Sequence, residues 1–212
     1  MIDYSLYFVT DERFCEGKFE ETIAAAIRGG VSIVQLREKD LETGAFYERA
    51  RALGEITKAS GIPLIINDRI DIALAVQADG VHLGQTDMPI GIARALLGPD
   101  SIIGVSVSTI EEAVVAERDG ADYLGISPVF TTPTKTDISA PLGLDGIEQI
   151  RHRVNIPMVG IGGIKINNAE NVLRAGCDGI AVVTAIMASD DPEKASRELR
   201  KIVDHIKFEK RG

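Results

Sequence analysis

The chain has 212 residues and a formal net charge of −9, from 23 lysine and arginine residues against 32 aspartate and glutamate residues. This acidic balance argues against a general attraction to nucleic acid or to an anionic membrane, so any bound anion must be captured by a local cluster. Cys15 and Cys177 form no C-x-x-C pair and resemble ordinary reduced thiols. Because the sequence shows no signal-like start and no apolar run of about 20 residues, we expect a cytoplasmic protein.

Eight apolar runs with the composition of buried strands alternate with segments of helical periodicity. The predicted strands are 6–10, 33–39, 63–66, 81–84, 102–108, 123–129, 157–163 and 179–185. Alternating strands and helices predict a parallel sheet, and eight such units predict one α/β domain over residues 1–212, a closed (β/α)8 TIM barrel. An open doubly wound sheet is the main alternative, but no G-x-G-x-x-G follows the first strand.

The predicted helices begin and end at recognisable signals. Residues 19–28 form a helix that stops at two glycines, and longer helices are expected at about 42–59 and 192–207. Thr109 followed by Glu112 fits a capping box at the start of another helix.

Polar side chains cluster where the strands end, and in a barrel these ends share one face. In the second unit, Gln35, Arg37 and Lys39 alternate with Leu36 and Glu38, so the first three share one side. A carboxamide and two cations directed toward one mouth suit a polyanion. The alternative is a solvated strand end with unrelated charges.

Two carboxylates follow neighbouring strands. Asp68 comes after Asn67 at the end of the third strand, and Asp87 follows the fourth. Such carboxylates repel each other unless a cation lies between them, and Mg²⁺ favours one or two carboxylates completed by substrate phosphates and water. The alternative is that both residues cap the helices that follow, and the spacing alone leaves this open.

No zinc site or nucleophilic triad is evident. The histidines at positions 82, 152 and 205 are scattered, so we expect them to be structural or surface residues. Neither a Ser-His-Asp nor a Cys-His set is present. This absence favours a reaction whose chemistry lies in a departing, metal-bound phosphate group.

Units five to eight supply a second set of anion-binding groups. The fifth strand contributes Ser106. Loop 131–137 carries threonines and a lysine at a length that makes it a candidate lid, although a plain surface loop is the alternative. Glycines at 160–163 and Val183-Thr184 fall in units seven and eight, where such barrels often bind phosphate. Glycines that merely ease a tight turn are the alternative.

Taken together and in order, these motifs resemble the thiamine-phosphate synthase family over essentially the whole chain. The motifs are Gln-Leu-Arg-Glu-Lys at 35–39, Asn-Asp at 67–68, Gly-Gln-Thr-Asp at 84–87, Gly-Val-Ser at 104–106, Thr-Pro-Thr-Lys at 132–135, Gly-Ile-Gly-Gly at 160–163 and Val-Thr at 183–184. The resemblance implies a transferase that joins hydroxymethylpyrimidine diphosphate to thiazole phosphate, giving thiamine phosphate and pyrophosphate. It also implies one Mg²⁺ per site.

The resemblance assigns roles by motif. It implies that the pyrimidine diphosphate is bound by Gln35, Arg37, Lys39, Asn67, Ser106 and Lys135. It implies that the thiazole phosphate is bound by Thr132, Thr134, Gly163, Val183 and Thr184. Leu36, Glu38 and Pro133 lie within the same motifs and are expected to contact substrate as well. Asp68 and Asp87 resemble the metal ligands, and the groups expected to act on the reacting diphosphate are Arg37, Lys39, Ser106 and Lys135.

The sequence departs from the family pattern at Ser127-Pro128, where Gly-Pro is common, and at Thr131, where proline is frequent. Neither change removes a charge, so only the shape of the loop is in question. Two alternatives stay open: an isomerase like the related thiazole tautomerases, which commonly lack the motifs at 35–39, 67–68 and 85–87, and a non-catalytic phosphate-binding barrel. The sequence leaves open whether the chain forms a homo-oligomer.

Overall fold

The computed structural model describes residues 2–15, 17–131 and 140–210. Within these residues eight strands form a closed parallel barrel in chain order, and the last strand pairs with the first. The strands are β1 (Leu6–Val9), β2 (Ile33–Leu36), β3 (Leu64–Asn67), β4 (Gly80–Leu83), β5 (Ile102–Val107), β6 (Tyr123–Ile126), β7 (Met158–Ile161) and β8 (Gly179–Val182). The (β/α)8 barrel predicted from the sequence is confirmed.

Helices follow the strands and cover the outside of the barrel. They are α1 (Phe19–Arg28), α2 (Thr43–Ser60), α3 (Ile70–Val76), α4 (Ile90–Leu97), α5 (Ile110–Arg118), α6 (Gly143–Arg151), α7 (Ala169–Arg174), α8 (Thr184–Met187) and α9 (Pro192–Glu209), with a 3₁₀ turn at Glu12–Phe14. Across the described ranges, none of these helices combines the length and apolar character needed to span a bilayer.

Local sequence signals set several helix ends. The α5 helix begins after Thr109, whose Oγ1 accepts the N–H of Glu112 at 3.1 Å. The carboxylate of Glu112 reaches back to the N–H of Ser108 at 2.6 Å rather than to that of Thr109, so the predicted capping box closes one residue earlier. The α2 helix ends at Gly61, which adopts the left-handed conformation that glycine tolerates without strain.

Strand side chains alternate between two cores. Residues that point outward pack against the helices, as Leu36, Ile66 and Leu124 do. Residues that point inward form a second cluster inside the barrel, which includes Tyr7 and Tyr123. The inward positions at the carboxyl ends of the strands are therefore available to line a site.

Three predicted strands extend three residues too far. The second ends at Leu36 instead of residue 39, and the N–H of Arg37 donates to Thr10 Oγ1 at 3.2 Å instead of continuing the ladder. The sixth ends at Ile126 instead of residue 129. The eighth ends at Val182 because the chain turns at Val183 into the short helix α8, which apolar composition alone does not distinguish from a strand.

Candidate active site

A cavity of about 410 Å³ opens at the carboxyl ends of the strands. Seven of the residues predicted to bind substrate line it: Gln35, Arg37, Asn67, Ser106, Gly163, Val183 and Thr184. They come from β2, β3, β5 and the segments after β2, β7 and β8, so the closed barrel brings together motifs that are far apart in the chain. This is the face on which barrels of this class carry their active sites.

A buried carboxylate orients the arginine on one side of the cavity. Arg37 is 16% exposed at its side chain, and its Nη1 lies 3.5 Å from Oδ2 of Asp11, which also lines the cavity. Arg13 donates to both oxygens of Asp11, at 2.9 and 2.6 Å. Burial alone would raise the pKa of the Asp11 carboxyl, but these hydrogen bonds and the charges of Arg13 and Arg37 lower it. Asp11 is therefore an anion that holds Arg37 against the cavity wall.

Lys39, Asp68 and Asn67 form a connected group at the mouth. The ammonium of Lys39 donates to Oδ2 of Asp68, and Nδ2 of Asn67 donates to the same oxygen at 2.7 Å. Asn67 lines the cavity, whereas Lys39 and Asp68 lie beside it. The backbone of Asp68 has a φ of 50°, a left-handed conformation that is uncommon outside glycine. Such backbone conformations are often retained at functional sites.

The carboxylates of Asp68 and Asp87 do not cap the helices after them. In the described residues, Asp68 is bonded to the side chains named above, and Oδ2 of Asp87 accepts the N–H of Gly84 at 2.6 Å. The α3 and α4 helices begin after Arg69 and Pro89 instead. The capping alternative for these two carboxylates is thus not what the structure shows.

The donor set at this end of the barrel fits a hard cation in part. Among the described residues no group of three or more histidine, cysteine, aspartate or glutamate side chains could hold a metal ion. Oδ1 of Asp68 and Oδ1 of Asp87 accept no hydrogen bond from those residues. Two carboxylates with uncommitted oxygens are what Mg²⁺ takes from a protein when substrate phosphates and water supply its other ligands.

Leu36 and Glu38 do not reach the cavity. Leu36 is fully buried in the outer core between strands and helices. Glu38 points toward α2, where its carboxylate accepts from Nη1 of Arg49 at 2.7 Å. Alternation along the extended chain places both side chains opposite Gln35 and Arg37. Only their backbone groups could therefore meet a substrate.

The opposite side of the cavity is built on the glycine turn after β7. Gly163 has a φ of 66°, and a Cβ there would lie 2.8 Å from the carbonyl oxygen of Thr131, so a side chain is excluded on two grounds. Nδ2 of Asn168 donates to the Gly163 carbonyl at 3.0 Å, and Oδ1 of Asn168 accepts the N–H of Lys165 at 2.7 Å. Lys165 lines the cavity and was not predicted from the sequence.

Four predicted site residues, Thr132, Pro133, Thr134 and Lys135, lie outside the described residues, as does most of the 131–137 loop. Thr131 is described and lines the cavity.

Tyr7, His82 and Tyr123 also line the cavity and, like Asp11 and Lys165, were not predicted as part of the site. The histidines were expected to be structural or surface residues. His82 is 8% exposed and its ring faces the barrel interior, so it is not a surface residue. In sequence, a tyrosine within an apolar strand is indistinguishable from a core residue. The available signal was that two inward-pointing hydroxyls inside one barrel need hydrogen-bond partners.

Comparison with known proteins gives a consistent result. A family model described as thiamine monophosphate synthase matches residues 6–186. A thiamine-phosphate synthase of Chloroflexus aurantiacus is 52% identical over 204 residues, which is 96% of this chain and 94% of that protein. One of Clostridium novyi is 50% identical over 202 residues, which is 95% of this chain and 99% of that protein.

A solved structure resembles the whole fold. Thiamine phosphate pyrophosphorylase from Pyrococcus furiosus superposes with a TM-score of 0.89 at 43% sequence identity, covering 97% of this chain and 98% of that one.

Proposed function

The chain belongs to the thiamine monophosphate synthase family and is a transferase, a thiamine-phosphate synthase, and we propose that pyrophosphate leaves the pyrimidine substrate before the thiazole nitrogen attacks. The observation that carries this mechanism is the arrangement of the cavity. Arg37 and Asn67 line one side, the turn at Gly163 and Lys165 lines the other, and no nucleophilic triad lies among the described lining residues. Such a site can hold two anionic substrates on opposite sides without forming a covalent bond to either.

The cationic side suits the diphosphate. Arg37 is held by Asp11, and Lys39 extends from the same segment to the mouth. An aminopyrimidine stabilises a positive charge on its methylene carbon, so the barrier is lowered chiefly by neutralising the departing pyrophosphate. A cation that is already held in place, as Arg37 is, supplies that neutralisation without reorganising during the reaction. Lys135 would add a further cation, as its motif implies.

Asp68 and Asp87 are the residues that would hold Mg²⁺, with Asn67 orienting the first of them through a hydrogen bond of 2.7 Å. When bound, Mg²⁺ neutralises the diphosphate oxygens and makes pyrophosphate a better leaving group.

The opposite side suits the thiazole phosphate. The backbone at Gly163, the residues Val183 and Thr184, and the side chain of Lys165 can accept a phosphate there. Holding the thiazole across the cavity brings its nitrogen to the face of the pyrimidine methylene opposite the leaving group. This placement replaces a bimolecular encounter by a positioned attack. By the family resemblance, Thr132 and Thr134 would belong to the same subsite.

A product assay tests the reaction and the metal together. The purified protein is mixed with hydroxymethylpyrimidine diphosphate and thiazole phosphate, in Mg²⁺ or in EDTA, and pyrophosphate and thiamine phosphate are measured. We expect equal amounts of both products in Mg²⁺ and neither in EDTA. Product formation that is the same in EDTA would refute the metal role, and no product in either condition would favour the isomerase or the non-catalytic barrel. Cytoplasmic location stays a prediction that cell fractionation tests. Light scattering measures the oligomeric state, which the sequence leaves open.

A further inference from the structure

A chain of hydrogen bonds crosses the barrel interior beneath the cavity. Nε2 of Gln35 donates to the hydroxyl of Tyr7 at 2.9 Å, and this hydroxyl lies 2.7 Å from that of Tyr123. The Tyr123 hydroxyl lies 2.8 Å from Nδ1 of His82, whose Nε2 lies 2.8 Å from Oγ of Ser106. The two ends of this chain, Gln35 and Ser106, both line the cavity.

Two glycines in the strands make room for this chain. Gly104 pairs laterally with His82 on one side and with Tyr123 on the other. A Cβ at Gly104 would lie 2.0 Å from Cζ of Tyr123, and a Cβ at Gly125 would lie 2.9 Å from Cε1 of His82. A side chain at Gly104 would displace the Tyr123 ring, and one at Gly125 would displace the His82 ring. The hydrogen-bond chain therefore requires glycine at both positions.

Tyr7 and Tyr123, the two tyrosines of the hydrogen-bond chain, each have one hydroxyl proton to donate. Burial raises the pKa of Tyr7 and of Tyr123 well above that of a free phenol, so both hydroxyls stay protonated across the physiological range. A hydroxyl that accepts from one neighbour must then donate to the other. The donors along the chain therefore all point in one direction.

The amide of Gln35 selects that direction. Because its Nε2 donates to Tyr7, Tyr7 donates to Tyr123 and Tyr123 donates to Nδ1 of His82. Nδ1 is then unprotonated, and the ring proton on Nε2 is donated to Ser106. The hydroxyl proton of Ser106 is left to donate into the cavity, and Oε1 of Gln35 is left to accept from it.

We propose that Tyr7, Tyr123 and His82 are positioning residues that couple Gln35 to Ser106, so that the cavity offers an acceptor at one end and a donor at the other. A flat ligand with an amino group facing Gln35 and a ring nitrogen facing Ser106 satisfies both ends, which is the pattern of an aminopyrimidine. An oxo analogue carries a carbonyl where the amino group was and a ring N–H where the ring nitrogen was. To bind it, the Gln35 amide would have to flip and every hydrogen bond between Gln35 and Ser106 would have to reverse its direction. This inference rests on the proposed function for the identity of the ligand.

Binding measurements test the coupling without relying on turnover. Calorimetry in Mg²⁺ gives the Kd of hydroxymethylpyrimidine diphosphate, of its oxo analogue and of inorganic pyrophosphate for each variant. The informative quantity is the Kd of the oxo analogue divided by that of the amino compound. Tyr123→Phe and Tyr7→Phe each interrupt the chain and free its two ends to donate or accept. We expect this ratio to fall about tenfold in each, the size of one lost hydrogen bond, while the Kd of pyrophosphate stays within about twofold.

The matched control is Tyr4→Phe. The centroid of the Tyr4 ring lies 4.9 Å from that of Tyr123. The Tyr4 hydroxyl is not part of the hydrogen-bond chain described above, so this variant should keep the wild-type ratio. An unchanged ratio in both Tyr7→Phe and Tyr123→Phe, or an equal fall in Tyr4→Phe, would overturn the coupling. If the wild-type protein binds pyrophosphate but neither pyrimidine, the failure lies in the proposed substrate and the coupling has no ligand to act on, which also overturns it.

Discussion

The ammonium of Lys39 is hydrogen-bonded to Oδ2 of Asp68. Lys39 was predicted to bind the diphosphate and Asp68 to bind the metal ion, yet in the structure the two side chains bind each other. The Lys39 side chain is 49% exposed and that of Asp68 is 18% exposed. Ion pairs with an exposed member contribute little net stability because water competes for both groups. This pair can therefore be exchanged at small cost, the lysine turning to a diphosphate and the carboxylate to a cation.

The metal role of the mouth is tested at Asp87. Asp87→Ala removes a carboxylate that no described helix start uses as a cap, so we expect the fold to be retained. Removing a residue that hydrogen-bonds to a metal ligand typically lowers metal affinity or activity about 10- to 100-fold. Removing a ligand itself should therefore lower kcat/KM by about 100-fold or more. Steady-state kinetics at several Mg²⁺ concentrations, with circular dichroism for the fold, measure this. Asp119→Ala, at an exposed ion pair after α5, is the control, and near-normal turnover of Asp87→Ala would show that Asp87 only orders the Gly84 turn.

The two subsites are separable by their Michaelis constants. Lys165→Ala removes a cation beside Gly163, so we expect the KM for thiazole phosphate to rise about tenfold with little change in that for the pyrimidine diphosphate. Arg37→Gln should show the reverse pattern. Varying one substrate at saturation of the other measures both constants. Equal changes in both constants for Lys165→Ala would contradict the assignment of opposite sides.

Asp11 predicts a specific dependence of stability on pH. Its pKa is lowered from 3.8 because the hydrogen bonds and charges of its arginine partners outweigh its burial. The unfolded chain therefore binds more protons near pH 4 than the folded one, so the stabilisation is complete above about pH 5 and is lost as the pH falls through the folded pKa. Urea unfolding of the wild type and of Asp11→Asn measures this. The difference in unfolding free energy between the wild type and Asp11→Asn should be constant from pH 7 to about pH 5 and should decrease below about pH 4. A difference that increases in acid would contradict a lowered pKa for Asp11.

The close contact at Gly104 predicts a large effect from one added methyl group. In Gly104→Ala the new Cβ would overlap the Tyr123 ring, and we expect a loss of about 1–3 kcal/mol, the usual range for overpacking a core. Gly91→Ala is the matched control. Gly91 lies in α4, and a Cβ added there would meet no atom within 4 Å, so alanine should stabilise the helix by up to about 1 kcal/mol. Equal stabilities of the two variants in urea would show that Tyr123 is free to move.

The barrel could be predicted because its determinants are local and repeated. Each strand is a short apolar run, and the helices between them carry their own stop signals, as at Gly61. Strand ends were less predictable, since apolar residues resume at Pro128-Val129 although β6 has ended at Ile126. The four-residue helix α8 was missed because it is too short to show a period.

The same reasoning explains which site residues could be predicted. Alternation along a strand placed Gln35 and Arg37 on the cavity side. It equally placed Leu36 away from the cavity, and the family motif alone named it as a contact. Tyr123 and His82 could not be assigned from composition, because their role depends on lateral neighbours in β4, β5 and β6 that only the closed barrel defines.

Positional isotope exchange tests whether the bond from the methylene carbon to pyrophosphate breaks before the thiazole nitrogen attacks. Pyrimidine diphosphate carrying ¹⁸O in the bridge to carbon is incubated with the enzyme, Mg²⁺ and a thiazole phosphate analogue that lacks the nucleophilic nitrogen. If pyrophosphate leaves first and recombines, the label should appear in non-bridging positions of recovered substrate, with no change in the mass of the protein. A label that stays entirely in the bridge would contradict departure of pyrophosphate before attack. A protein mass increased by the aminopyrimidinylmethyl group would contradict the absence of a covalent intermediate.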